Sequence, residues 1–121
     1  MRPSIILIVC LLLVAGCNRK VGAVEKIVAG GNSEAGRNAL IAYSCGACHV
    51  IDGIPNAVSY VGPPLTEFGQ RHYIAGNLPN TADNLIFWIQ YPQAVEPGSA
   101  MPNLNVTDMD ARNMAAYLYG N

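Results

Sequence analysis

The sequence predicts a small all-α domain with long loops. Three observations carry this. Three segments show helical periodicity behind capping residues, no segment shows the alternation of a strand, and glycine- and proline-dense stretches separate the helices. The chain has 121 residues, which is room for one small domain rather than two.

The opening segment is read as a signal rather than as part of the fold. Met1-Arg2-Pro3-Ser4 precedes 11 apolar residues, Ile5 to Ala15, and the run closes on Gly16-Cys17. Such a run is too short for a membrane-spanning helix, which needs ~20 residues, and suits the hydrophobic region of an export signal. Val14-Ala15-Gly16-Cys17 resembles the bacterial lipoprotein box, with Val14 where Leu is commoner. That resemblance implies removal of residues 1–16 and acylation of Cys17. A plain secretory signal with an incidental Cys17, or an uncleaved anchor, is the alternative. Residues 17–32 are then the acylated cysteine and a flexible tether with a Gly-Gly pair. A tether of this length has a root-mean-square reach of roughly 20–24 Å.

The domain itself is expected over 33–121. Ser33 to Tyr43 is predicted as the first helix, with Ser33 as N-cap and Glu34 favouring the positive helix start. Ala35, Ala39 and Tyr43 share one face, with Leu40 beside them. Gly36 costs such a helix ~1 kcal/mol relative to Ala, and is either a tolerated weak point or the place of a close helix crossing. Residues 50–80 hold Gly53, Pro55, Gly62-Pro63-Pro64, Gly69, Gly76 and Pro79. They read as a long irregular stretch with one helical turn near Leu65–Arg71, and wrapping a cofactor would explain its length. Asn80-Thr81-Ala82-Asp83 opens the second helix, whose stripe is Leu85, Ile86, Trp88 and Ile89 and which ends at Tyr91-Pro92. After a second loop, Thr107 caps the last helix, with Asp110 at the reciprocal position. Ala111, Met114, Ala115 and Leu118 share its inner face, Tyr117 lies at the edge, and Gly120 ends it.

Composition narrows the function. Charged residues make up 12% and the formal net charge is −1, with seven Lys and Arg. No broad basic face is available, so duplex nucleic acid is not an expected partner. Hydrophobic residues reach 51%, which argues against disorder despite twenty Gly and Pro. Nine aromatic residues are few for a small core, so something besides side chains is expected to fill part of it.

The chemistry sits in Cys45-Gly46-Ala47-Cys48-His49. A thioredoxin-like redox pair needs a βαβ pattern, which is absent. A zinc site could draw on Cys45, Cys48, His49 and His72, but the His spacing does not match the usual one. A disulfide would close a tiny loop and stabilise little. C-x-x-C-H reads as c-type haem attachment, with two thioethers and His49 as an axial ligand of the iron. Candidates for the second axial ligand are Met101, Met109, Met114 and His72. Met109 and Met114 lie at helical positions, where a Met is more often core. Met101 lies in a loop, between Pro97-Gly98 and Pro102, its thioether suits haem iron, and it is the expected second axial ligand. His72 is read as a surface or haem-edge histidine.

Cys45-x-x-Cys48-His49, Gly62-Pro63-Pro64-Leu65 and Met101-Pro102, with a helix before each loop, resemble the class I cytochromes c over about residues 33–121. The resemblance implies a small fold of three main helices and long loops around one covalently bound haem. It implies that the first and last helices cross through Gly36 and Tyr117. It also implies that Pro63 offers its carbonyl to His49, that Leu65 packs on the haem face, and that Arg71 and Trp88 contact the haem propionates.

A closer likeness runs through Phe68-Gly69-Gln70-Arg71, Ile74 to Thr81, Asn84-Leu85, Trp88-Ile89, Pro92-Gln93, Pro97-Gly98 and Met101-Pro102. These resemble the cytochrome c domain fused to subunit II of bacterial haem–copper oxidases. This chain carries neither that subunit's copper domain nor its membrane hairpin, and His72-Tyr73 departs from the smaller residues expected there. The likeness implies an exported electron-transfer protein rather than an enzyme. It would be lipid-anchored on the periplasmic side of a bacterial membrane and would carry single electrons between respiratory complexes. The redox partners implied are a terminal oxidase as acceptor and a quinol-oxidising complex as donor. A fixed subunit of a respiratory complex is the nearest alternative. A haem sensor or a peroxidase-like enzyme with a labile sixth ligand is a further one.

Overall fold

The computed structural model describes residues 28–121. The expected signal over 1–16, Cys17 and the tether up to residue 27 lie outside the described residues. Four helices form the frame: α1 (Ser33–Ala42), α2 (Ala82–Gln90), the short α3 (Pro92–Val95) and α4 (Asp108–Gly120). Two 3-10 turns, Cys45–Ala47 and Phe68–Gln70, and a two-residue antiparallel ladder, β1 (Tyr73–Ile74) with β2 (Leu78–Pro79), lie in the connections.

α1 packs along α4, and α2 packs on α4 from another side, so the last helix is the hub. Gly36 makes the first contact possible, because a Cβ there would overlap the Asn113 carbonyl. The glycine expected at the crossing therefore meets α4 backbone at Asn113 and Met114. Tyr117 lies one turn further on, and its hydroxyl donates to the Asp52 carbonyl at 2.6 Å. The inner face of α4 is buried as its periodicity requires: Ala111, Met114, Ala115 and Leu118 are each 4% exposed or less. Leu85 and Ile89 of α2 and Leu40 of α1 close on it. Burying each of these larger side chains contributes about 1.5–3 kcal/mol.

The caps follow the sequence at two of three helices. Thr81 accepts from the Asn84 amide and Thr107 from the Asp110 amide. The third expectation is corrected. Asn32, not Ser33, caps α1, and its side chain accepts from the Ala35 amide at 2.8 Å. Asn32 sits in extended backbone, from which its amide oxygen reaches the third helical residue.

Three further readings are revised. Pro92 does not merely end a helix: it stands at the first position of α3, where its missing N–H costs nothing. The chain is not free of strand, because Tyr73–Ile74 pairs with Leu78–Pro79 around a tight turn too short to show periodicity. The stretch before Ser33 is not loose where it is described. Val28 is buried, Gly31 lies against Ala116 and Arg112, and the Asn32 amide donates to Asn113 Oδ1 at 2.8 Å.

Candidate functional site: a cavity joining the Cys-His and Met loops

Between α1, α2 and α4 on one side and the loops on the other lies a cavity of about 560 Å³. That volume lies within the range of cofactor sites. Its floor includes Leu40, Leu85, Met114 and Leu118. Cys45, Cys48, His49, Pro63, Leu65, Arg71, Trp88 and Met101, all singled out in the sequence, line it. His72 is exposed and does not line it, so it does not join the cysteines and His49 as a fourth ligand. Among the described residues no three His, Cys, Asp or Glu side chains converge as a metal-ion site.

The Cys45–Ala47 turn begins where α1 stops. Ser44 takes the left-handed conformation (φ 57°), and the Cys48 and His49 amides both donate to the Cys45 carbonyl. This local winding turns both thiols and the imidazole to the cavity. Both thiols are free. Burial, with a smaller contribution from neighbouring Cys48, pushes the Cys45 thiol up to about 11, so it is held neutral at pH 7.

His49 is oriented by the Gly62-Pro63 loop. Its Nδ1 lies 2.7 Å from the Pro63 carbonyl oxygen. A carbonyl only accepts, so Nδ1 carries the hydrogen and Nε2 presents its lone pair. The Gly62 amide donates to the Cys48 carbonyl at 2.7 Å, and the Leu65 amide donates to the Val50 carbonyl at 2.8 Å. These bonds hold the loop so close to the imidazole that a Cβ on Gly62 would lie 2.8 Å from Nδ1 and 2.9 Å from Nε2. Glycine is required there by space.

Arg71 is committed twice within the protein. Its guanidinium donates to the Pro64 carbonyl and lies 5.0 Å from the Phe68 ring centroid. Trp88 is half-buried at the cavity.

The three methionines separate. Met114 is core at 1% exposure, as its helical position implies. Met109, expected as core on the same ground, is 59% exposed: it lies in the first turn of α4, on the outward side. Met101 is half-buried at the cavity. Its loop is tied to α3 by Gln93, which donates to the carbonyls of Ser99 (2.7 Å) and Met101 (2.8 Å) and accepts from the Gly98 amide (3.2 Å). Sequence reading noted Gln93 only as part of a resemblance and gave it no role at the site. Its spacing of eight residues before the methionine has no periodic meaning.

The cavity fits haem by this donor set. Two thiols, an imidazole with Nε2 free and a thioether share one largely apolar space. No helix among the described residues is long and apolar enough to cross a membrane.

Comparison with known proteins agrees. Residues 33–120 match the family model described as cytochrome c. Over 86 residues the chain is 40% identical to cytochrome c oxidase subunit 2 of Alkalihalophilus pseudofirmus, covering 69% of this chain and 24% of that protein. Over 65 residues it is 35% identical to cytochrome c oxidase subunit 2 of Bacillus sp. strain PS3, covering 52% of this chain and 18% of that protein. The chain thus spans about a quarter or less of the length of these curated relatives. No solved structure matches it.

Proposed function

The chain belongs to the cytochrome c family, and from that premise we propose that it is a monohaem carrier of single electrons between membrane respiratory complexes, donating to a terminal oxidase. Cys45 and Cys48 would hold the haem covalently, and His49 and Met101 would ligate its iron. The bound haem supplies a one-electron Fe(III)/Fe(II) couple. The rest is done by this chain's residues. The Pro63 carbonyl fixes the His49 ring and its tautomer, Leu65 and the apolar floor keep water out, and the Met101 thioether suits the reduced ion. Arg71 and the Trp88 indole offer donors to the propionates.

The observation that carries this reading is the His49–Pro63 bond, which leaves Nε2 free beside both thiols and Met101. With His49 and Met101 both on the iron, no position would be left for a substrate. Val61 and Tyr73, exposed at the cavity, offer an uncharged surface suited to short redox encounters. In this reading Cys17 carries lipid, and the protein works on the periplasmic face of a bacterial membrane, where tethering raises its effective concentration at the partner. A second reading, a fixed electron-transfer subunit, draws on the likeness to oxidase subunit 2. Recovery of a stable complex from detergent extracts would favour it.

The test is a reduced visible spectrum of the protein matured in a host that attaches c-type haem, with and without carbon monoxide. The expected result is a sharp c-type band unmoved by carbon monoxide, and a shifted one in Met101→Ala. A large shift in the unsubstituted protein would overturn the closed carrier and favour sensing or peroxide chemistry. Cys17→Ser is expected to release the protein from membranes.

A further inference from the structure

We propose that Gln93 is a positioning residue for Met101: its amide group holds the methionine loop in the register that keeps the thioether at the cavity. The inference rests on Met101 being an axial ligand. The observation is geometric. Residues 96–107, between α3 and α4, contain no regular element, so side chains and isolated bonds must fix this loop.

The Gln93 amide makes three hydrogen bonds to it. Nε2 donates to the Ser99 and Met101 carbonyls at 2.7 and 2.8 Å, and Oε1 accepts from the Gly98 amide at 3.2 Å. Both amide hydrogens and the amide oxygen are engaged, and three points on a planar group fix position and orientation together. The base of the side chain is itself held, because it follows Pro92, which is among the most buried residues of the protein and starts α3. Ser99 adds one bond from within the loop, its Oγ accepting from the Met101 amide at 3.2 Å. Gln90, at the end of α2, donates to the Val106 carbonyl at 3.3 Å and so steadies the far end of the same loop.

The chemistry selects glutamine. An ionised glutamate has no donor and would set a negative oxygen against two carbonyl oxygens. An isosteric apolar side chain leaves both carbonyls without this partner. Either change frees Met101 to leave the iron more often, while Cys45, Cys48 and His49 are untouched. The consequence is a faster opening of the sixth position, not loss of the haem.

The test compares full-length haem-loaded wild type, Gln93→Glu, Gln93→Met and Met101→Ala. Two readouts are used: imidazole binding to the oxidised protein by stopped flow, and the sulfur-to-iron charge-transfer band. Where opening of the site limits binding, losing the three Gln93 hydrogen bonds is expected to speed it at least about tenfold in Gln93→Met. Gln93→Glu is expected to be faster still at neutral pH. The charge-transfer band weakens in both. If Met101→Ala binds imidazole no faster than wild type, the ligand assignment itself fails. If Met101→Ala opens the site but Gln93→Met keeps the wild-type rate and band, the positioning role is overturned. Should Gln93→Glu not mature with haem, Gln93→Met alone decides.

Discussion

Gly36 and Asn113 touch backbone to backbone: α1 lies against α4 so closely that a Cβ on Gly36 would overlap the Asn113 carbonyl. The glycine that weakens α1 as an isolated helix is what lets it pack. Gly36→Ala improves local propensity by ~1 kcal/mol but forces the helices apart. The net outcome expected is a loss of about 1–3 kcal/mol, read by guanidinium denaturation. A stabilised variant would mean that the crossing relaxes freely.

A second close approach acts on the site. Gly62→Ala places a methyl group against the His49 ring. Either the loop withdraws, breaking the Pro63 bond, or the ring turns. If His49 ligates the haem iron as proposed, losing the Pro63 bond weakens the imidazole as a donor, so the reduction potential is expected to rise and haem incorporation to drop. An unchanged potential would show that the Pro63 contact does not tune His49.

Asn32 anchors α1 through its side chain, while its backbone amide reaches Asn113 Oδ1. Asn32→Ala removes only the cap. A stability loss of about 1 kcal/mol is expected by thermal or denaturant unfolding, with the visible spectrum unchanged. Ser33→Ala is expected to cost only a few tenths of that, which separates the two candidate caps.

Tyr119 donates to Asn80 Oδ1 at 2.7 Å, and Asn80 in turn donates to the Phe68 and Arg71 carbonyls, so the 68–71 turn is held to α4. Burial pushes the Tyr119 phenol up to about 12. In the unfolded chain it titrates near ~10. Its contribution to stability is therefore full below about pH 10 and is lost as pH rises toward 12. Tyr119→Phe is expected to flatten this alkaline fall in a denaturation series run against pH. An equally steep fall in the variant would assign it elsewhere.

Much of the frame is legible in the sequence because it is local. Thr81 and Thr107 cap their helices as their positions imply, and the buried stripe of α4 follows its period of 3.6. The short turn near residue 68 falls where the breakers leave room for it. The first cap was misplaced by one residue because Asn32 and Ser33 are both good capping types, and the choice depends on backbone angles. The ladder of Tyr73–Ile74 with Leu78–Pro79 has too few residues to carry a period.

The sequence by itself determined the three longer helices, the Cys45–His49 motif and the set of candidate sulfur ligands, since all are written in neighbouring residues. Only the tertiary structure put Met109 on the outside and Met114 in the core, joined the Met101 loop to Gln93, and set His49 Nδ1 against Pro63. These depend on hydrogen bonds between irregular segments. Such bonds have no sequence period; they are fixed only when packing brings the two backbones within reach.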